Sequence, residues 1–257
     1  IYVKHEVVHN KYVIEDLEKK GVIFIEDITD VPMNSTIIYS AHGVSIKVKN
    51  DAKNRNLKIF DATCPLVTKV HIEVHKYSKE GVDVVLIGHK GHPEIEGTMG
   101  QYDSLIGKIH LVENVQDISA LDIDNTKVAY VTQTTLSMDD TKDIIKNLIK
   151  KFPDIMAPAK SDICYATQNR QDAVKSILKY CDYLLVIGSV NSSNSRRLVE
   201  LALKNKIPSK LIDSYHDIDL IKLKGIKDSI KKIAKLKDPV NVTLEKWRRP
   251  NGLNIKR

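Results

Sequence analysis

The chain has 257 residues, 42% of them hydrophobic and 28% charged, with a formal net charge of +7. Length and balance suit a globular protein of one to two domains and exclude disordered, collagen-like and disulfide-scaffold classes. The excess positive charge sits in residues 221–257, which hold 12 Lys/Arg against 3 Asp/Glu, so the slightly acidic remainder makes no electrostatic case for nucleic acid.

The sequence opens at Ile1 on a strand-like stretch. A helix is predicted over Tyr12 to Lys20, with Asn10 as N-cap and Gly21 closing it. Short β-branched or aromatic runs then predict buried parallel strands at Thr36 to Ser40, Val82 to Ile87, Lys127 to Thr132 and Tyr183 to Ile187. Between the first two lies a predicted helix, Leu66 to Lys79, with Val67, Val70, Val74 and Tyr77 on one face. Alternating strands and helices predict an α/β fold. No apolar run approaches the roughly 18 residues of a membrane helix, and no basic-then-apolar leader is seen, so the expected compartment is the cytoplasm.

In open parallel sheets ligands bind beyond the C-terminal strand ends. The loops there read Ala41-His42-Gly43, Gly88 to Glu94, Gln133-Thr134-Thr135 and Gly188 to Ser195. Hydroxyls, amides and imidazoles dominate them, a set suited to an anionic ligand. Neither a Walker A motif nor GxGxxG occurs, so a nucleotide is not the default ligand.

Three cysteines are an odd number and argue for free thiols or metal ligands over disulfides. Cys64, in Asp61-Ala62-Thr63-Cys64-Pro65, and Cys164, in Asp162-Ile163-Cys164-Tyr165, each stand directly before a helical stretch. A helix N-terminus favours the thiolate, the form that binds metal or attacks; the alternative is a small buried cysteine. Cys181, leading into a strand, reads as core. Glu94 after His92-Pro93 is either an acid complementing a helix dipole or a tuned proton donor. Ser192-Ser193-Asn194-Ser195 either only caps the following helix or also offers hydroxyl and amide donors to a ligand. His71 and His75, four apart on a helix without a third ligand, read as surface residues. His5-Glu6-Val7-Val8-His9 matches the HExxH zinc-protease pattern but spans a strand end and a helix start, and Tyr12 stands where the extended pattern needs glycine, so that reading is set aside.

Seven segments together, His-Glu-Val-Val-His-Asn (5–10), Ser-Ala-His-Gly-Val-Ser (40–45), Asp-Ala-Thr-Cys-Pro-Leu-Val (61–67), Gly-His-Pro-Glu-Ile-Glu-Gly-Thr (91–98), Thr-Gln-Thr-Thr-Leu-Ser (132–137), Asp-Ile-Cys-Tyr-Ala-Thr (162–167) and Asn-Ser-Ser-Asn-Ser (191–195), closely resemble the LytB/IspH family of 4-hydroxy-3-methylbut-2-enyl diphosphate reductases. The resemblance covers about residues 1–215. It implies a trefoil of three small α/β units, each with a short, mainly parallel sheet, around a central cluster site. The corresponding divisions are 1–63, 64–160 and 161–220, followed by a basic tail, 221–257. It also implies a two-electron reductive dehydroxylation giving isopentenyl and dimethylallyl diphosphates, the last step of the methylerythritol phosphate route.

Carried over motif by motif, Cys64 and Cys164 would be ligands of a 4Fe-4S cluster, and His9, His42 and His92 would hold the diphosphate with Ser192, Ser193 and Asn194. Glu94 and Thr134 would serve the substrate's hydroxyl end and its proton relay. The implied partners are the allylic diphosphate and a one-electron donor such as ferredoxin or flavodoxin, with no membrane.

The sequence departs from the family pattern twice. The family's third cluster cysteine lies upstream of the segment that begins here at Ile1, and no residue of this sequence takes that role. The family's late Ala-Gly-Ala-Ser type turn has no counterpart either. The alternative function is therefore an inactive diphosphate-binding remnant. Residues 221–257 read either as a truncated or frame-shifted end or, with Ile226, Ile230 and Ile233 on one face, as a basic amphipathic helix for a membrane-surface or nucleic-acid contact. One Trp and 5% aromatic residues argue against base-stacking platforms.

Overall fold

A computed structural model describes residues 1–124, 127–214 and 217–218. The predicted helix face and contacts of residues 221–257 lie outside these. The described residues divide into two compact units: 1–8 with 12–164, and 9–11 with those described from 165 to 218. The described strands form three sheets, and every strand pair in them is parallel.

The first unit carries two sheets. β1 (Tyr2–Lys4), α1 (Lys11–Lys19), β2 (Ile23–Ile25), β3 (Thr36–Tyr39), α2 (Ile46–Asn54) and β4 (Lys58–Asp61) give the order β2-β1-β3-β4. Gly21, at φ 85° with its N–H on the Glu18 carbonyl, ends the α1 segment as expected. α3 (Pro65–Lys79), β5 (Asp83–Ile87), α4 (Pro93–Met99), β6 (Ile109–Val112), α5 (Val115–Ser119), β7 (Val128–Thr132) and α6 (Met138–Lys151) give the order β6-β5-β7. All residues of β5 and β7 are buried, including Asp83 and Thr132 at their ends, as the apolar runs Val84–Ile87 and Val128–Val131 require. Val67, Val70 and Val74 form the buried stripe of α3, each contributing roughly 1.5–3 kcal/mol by leaving water.

The two sheets meet at one end of this unit. The Ile46 N–H at the start of α2 bonds the Gly100 carbonyl just past α4, and the Gln101 amide reaches both the Val44 and Gly97 carbonyls. The tips of β3 and β5 are thereby brought together.

The second unit contains α7 (Tyr165–Leu178), β8 (Leu184–Ile187), α8 (Ser193–Lys204) and β9 (Ser209–Ile212), with β8 paired to β9. Its core joins Val174, Leu178, Leu184 and Leu198 to Cys181, the expected core cysteine.

The four strands read from the sequence appear within a residue of their expected ends. Sequence reading missed β2, β4, β6 and β9. These are three or four residues long, β2, β4 and β6 lie at sheet edges, and Lys58, His110 and Lys210 interrupt their apolar pattern. Short edges carrying polar residues resist unwanted pairing and carry a weak strand signal for the same reason.

Candidate active site

The site in the first unit grows from three strand tips. After β3 the chain turns through His42 and Gly43, and Gly43 adopts φ 73°. A Cβ on Gly43 would stand 2.5 Å from the His71 ring, and one on Gly97 of α4 would meet the Gly43 backbone at 3.2 Å. This packing presses the two imidazole loops together: His42 and His92 stand edge to face, with ring centroids 5.5 Å apart. His42 Nδ1 lies 3.1 Å from the hydroxyl of buried Ser40. His92 caps α4, its Nδ1 accepting the Glu94 N–H at 3.2 Å. An accepting Nδ1 leaves the neutral ring's proton on Nε2.

Pro93 at the first helical position sets the next residue, Glu94, into the interior, where it is 3% exposed. Its carboxylate takes two bonds from one residue of the β7 tip: the Thr134 N–H at 2.6 Å and the Thr134 hydroxyl at 2.9 Å. Burial pushes the carboxyl up to about 7, against the pull of these two bonds, and the Asp162 charge adds to the rise. The neighbouring Gln133 links the same two tips, accepting the His89 N–H at 3.1 Å.

Each of the two predicted ligand cysteines hangs on one of these tips. The Cys64 N–H bonds the Ala41 carbonyl at 3.0 Å, beside His42, and α3 starts immediately after it with Pro65. The Cys164 N–H bonds the Thr134 carbonyl at 2.8 Å, and α7 follows. Both thiols are free and partly exposed, while Cys181 is buried. Thiolates are the ligands that iron–sulfur clusters use, so the donor chemistry of Cys64 and Cys164 fits such a group, and neither is a buried packing residue. The first unit thus gathers Cys64, Cys164, His42, His92, Glu94 and Thr134 through backbone bonds, a shared ring contact and one buried carboxylate.

The remaining predicted residues belong to the second unit. His9 lies in its 9–11 segment. Ser192 caps α8, accepting the Ser195 N–H and hydroxyl at 3.2 and 3.1 Å, so the capping role expected of this loop is filled. Ser193 is buried, and the Asn194 Oδ1 is buried without a hydrogen-bond partner among the described residues. An unpaired buried amide oxygen marks a polar group that capping does not account for.

Two other sequence expectations are settled by geometry. The His5 to His9 stretch is not helical: His5 has φ 61°, and its ring lies between Lys4 Nζ at 2.8 Å and Glu26 Oε2 at 2.7 Å. The zinc-protease pattern therefore has no helix face here. His71, expected at the surface, is instead 5% exposed under Gly43, and burial, aided by the Lys49 charge and opposed by Asp61, lowers it to about 4. Sequence reasoning also missed Lys69, joined to Asp162 at 2.7 Å, and the bond from the Thr132 N–H to Asp162 at 2.9 Å. Asp162 was visible only as the first letter of the Asp-Ile-Cys motif.

The family model described as LytB protein matches residues 1–234. The chain belongs to the LytB family. It is 56% identical over 227 residues to the 4-hydroxy-3-methylbut-2-enyl diphosphate reductase of Mannheimia succiniciproducens, covering 88% of this chain and 72% of that protein. Among solved structures it resembles the E-1-hydroxy-2-methyl-but-2-enyl-4-diphosphate reductase of Plasmodium falciparum, with a TM-score of 0.83 and 46% identity over 88% of this chain and 70% of that one. A second solved (E)-4-hydroxy-3-methyl-but-2-enyl diphosphate reductase, described as the terminal enzyme of the non-mevalonate pathway, matches with a TM-score of 0.61 and 30% identity over 88% and 79% of the two chains. Among the described residues no helix is long and apolar enough to cross a membrane.

Proposed function

We propose that this chain acts as a 4-hydroxy-3-methylbut-2-enyl diphosphate reductase, an oxidoreductase that removes the allylic hydroxyl with two electrons and two protons to give water and isopentenyl or dimethylallyl diphosphate. The observation that carries the residue assignments is the buried Glu94 carboxyl, doubly bonded to Thr134, whose carbonyl in turn holds Cys164. Cys64 and Cys164 are assigned as ligands of an iron–sulfur cluster of the four-iron type. When bound, such a cluster supplies electrons one at a time and Lewis acidity at an iron that lacks a protein ligand.

Glu94 supplies the proton that leaves with the allylic hydroxyl as water. With its carboxyl near neutrality, a large fraction is protonated at physiological pH, the condition for an efficient general acid. Once Oε2 carries the proton, the bond to Thr134 reverses: the carboxyl O–H donates to Oγ1, and the threonine hydroxyl is freed to donate onward to the departing substrate oxygen. Loss of the hydroxyl as water removes a poor leaving group that would otherwise depart as hydroxide.

The diphosphate is assigned to neutral donors. His42 and His92 offer ring N–H groups from the first unit. His9, Ser192, Ser193 and Asn194 are assigned to the same ligand chemistry in the second unit, the Asn194 amide standing at the N-terminal turn of α8, where anions are favoured. The reductant is a one-electron donor such as ferredoxin or flavodoxin, and the compartment assigned is the cytoplasm.

The test is anaerobic turnover of 4-hydroxy-3-methylbut-2-enyl diphosphate by the native gene product, loaded with iron and sulfide and supplied with a reduced flavodoxin. Formation of isopentenyl and dimethylallyl diphosphates is expected. A loaded protein that leaves the substrate unchanged would overturn the reading.

A further inference from the structure

One ion pair outside the assigned set ties the two cysteine-bearing segments to each other. Lys69 lies on α3, five residues beyond Cys64. Its ammonium donates to the Asp162 carboxylate at 2.7 Å and to the Lys160 carbonyl at 2.8 Å. Asp162 lies two residues before Cys164, its side chain is fully buried, and its other oxygen accepts the Thr132 N–H at the end of β7. Two residues on, the Thr134 carbonyl accepts the Cys164 N–H. The helix that starts at Cys64, the strand tip that carries Thr134 and the loop that ends in Cys164 are thus joined at a single carboxylate.

Such a pair is a weak stability device. Withdrawing a carboxylate from water is costly, and apolar replacements of buried pairs are often neutral or stabilising. What charge-assisted bonds at fixed angles supply is geometry. A metal centre needs its ligands held in place before the metal arrives, and groups one layer behind the ligands commonly do this.

We propose that Lys69 and Asp162 are positioning residues that set the placement of the Cys64 and Cys164 thiolates for a shared iron–sulfur centre. The role rests on the reading of these two cysteines as cluster ligands. Neither Lys69 nor Asp162 is assigned as a ligand. Lys69 acts through α3 on Cys64, and Asp162 acts through the 160–164 segment on Cys164.

The test compares the native gene product, reconstituted anaerobically, with Lys69→Met, Lys69→Arg and Asp162→Asn. Three quantities are read: the rate at which a ferrous chelator bleaches the cluster, the electron paramagnetic resonance spectrum of the reduced protein, and the unfolding midpoint of the iron-free protein. Bleaching about tenfold faster is expected for Lys69→Met, with a changed spectrum, and Lys69→Arg should restore most of the difference. Asp162→Asn keeps an oxygen for the Thr132 N–H but loses the charge, so it should bleach faster by a smaller factor. It carries the test if Lys69→Met does not fold. Bleaching rates and spectra like those of the unaltered protein, with or without a lower unfolding midpoint, would overturn the proposal while leaving the cluster reading intact. An unaltered protein that binds no iron and sulfide would remove the cluster reading and this proposal with it.

Discussion

Thr134 meets the Glu94 carboxylate twice, with its N–H at 2.6 Å and its hydroxyl at 2.9 Å, although 40 residues separate them. Both bonds favour the ionised carboxylate, yet burial outweighs them and the group stands at about 7. The contest between these effects places a proton where the proposed reaction needs one.

Turnover should therefore fall as pH rises through about 7, following the loss of the Glu94 proton. Glu94→Gln keeps the shape and hydrogen-bonding capacity but not the proton, and should lower kcat by about 10²- to 10⁴-fold while removing that limb of the pH profile. A retained limb would assign the titration to another group. The linkage sign is fixed as well. The folded carboxyl holds a proton that the unfolded chain releases from about 4.5 upward, so its contribution to stability is lost as pH rises from about 4.5 to about 7.

Thr134→Val removes the hydroxyl while leaving the N–H bond to Glu94. The carboxylate loses a donor that favours its charged form, so its titration should move to higher pH. The check is the pH–rate profile alongside a ¹³C titration of the glutamate carboxyl. A shift to lower pH would contradict the arrangement.

Gly43→Ala should destabilise the first unit by about 1–3 kcal/mol. The added Cβ has to tolerate a positive φ and stands 2.5 Å from the His71 ring. Because His42 is the preceding residue, KM should rise together with the loss in denaturant midpoint.

His71, lowered by burial to about 4, gives the opposite pH sign to Glu94. The unfolded chain takes its proton near 6.5 and the folded chain only near 4, so about 3 kcal/mol of stability is lost as pH falls through that window, with no further change above it. His71→Met should flatten this slope in urea unfolding followed from pH 7 to pH 4.

Much of the architecture was legible because it is local. Largely apolar runs marked β5 and β7, and the small polar residues after the strands marked the tips that carry His42, His92 and Thr134. The helix starts directly after Cys64 and Cys164 were legible from their matching sequence contexts. What sequence could not give was long-range pairing. Nothing near Glu94 announces Thr134, and nothing near Lys69 announces Asp162, 93 residues away. His71 shows the same limit: its place under Gly43 depends on a glycine 28 positions earlier adopting a left-handed turn, which helical periodicity does not encode. The short edge strands were lost because polar residues that guard an edge also erase the pattern that reveals a strand.

The most direct measurement is iron and acid-labile sulfide analysis of the anaerobically reconstituted native gene product beside its Cys64→Ser, Cys164→Ser and Cys181→Ser variants. Full loading of the unaltered protein and of Cys181→Ser, with loss in both Cys64→Ser and Cys164→Ser, is the result expected. Equal loading in all four would contradict the assignment of Cys64 and Cys164 as the thiolates that hold the cluster.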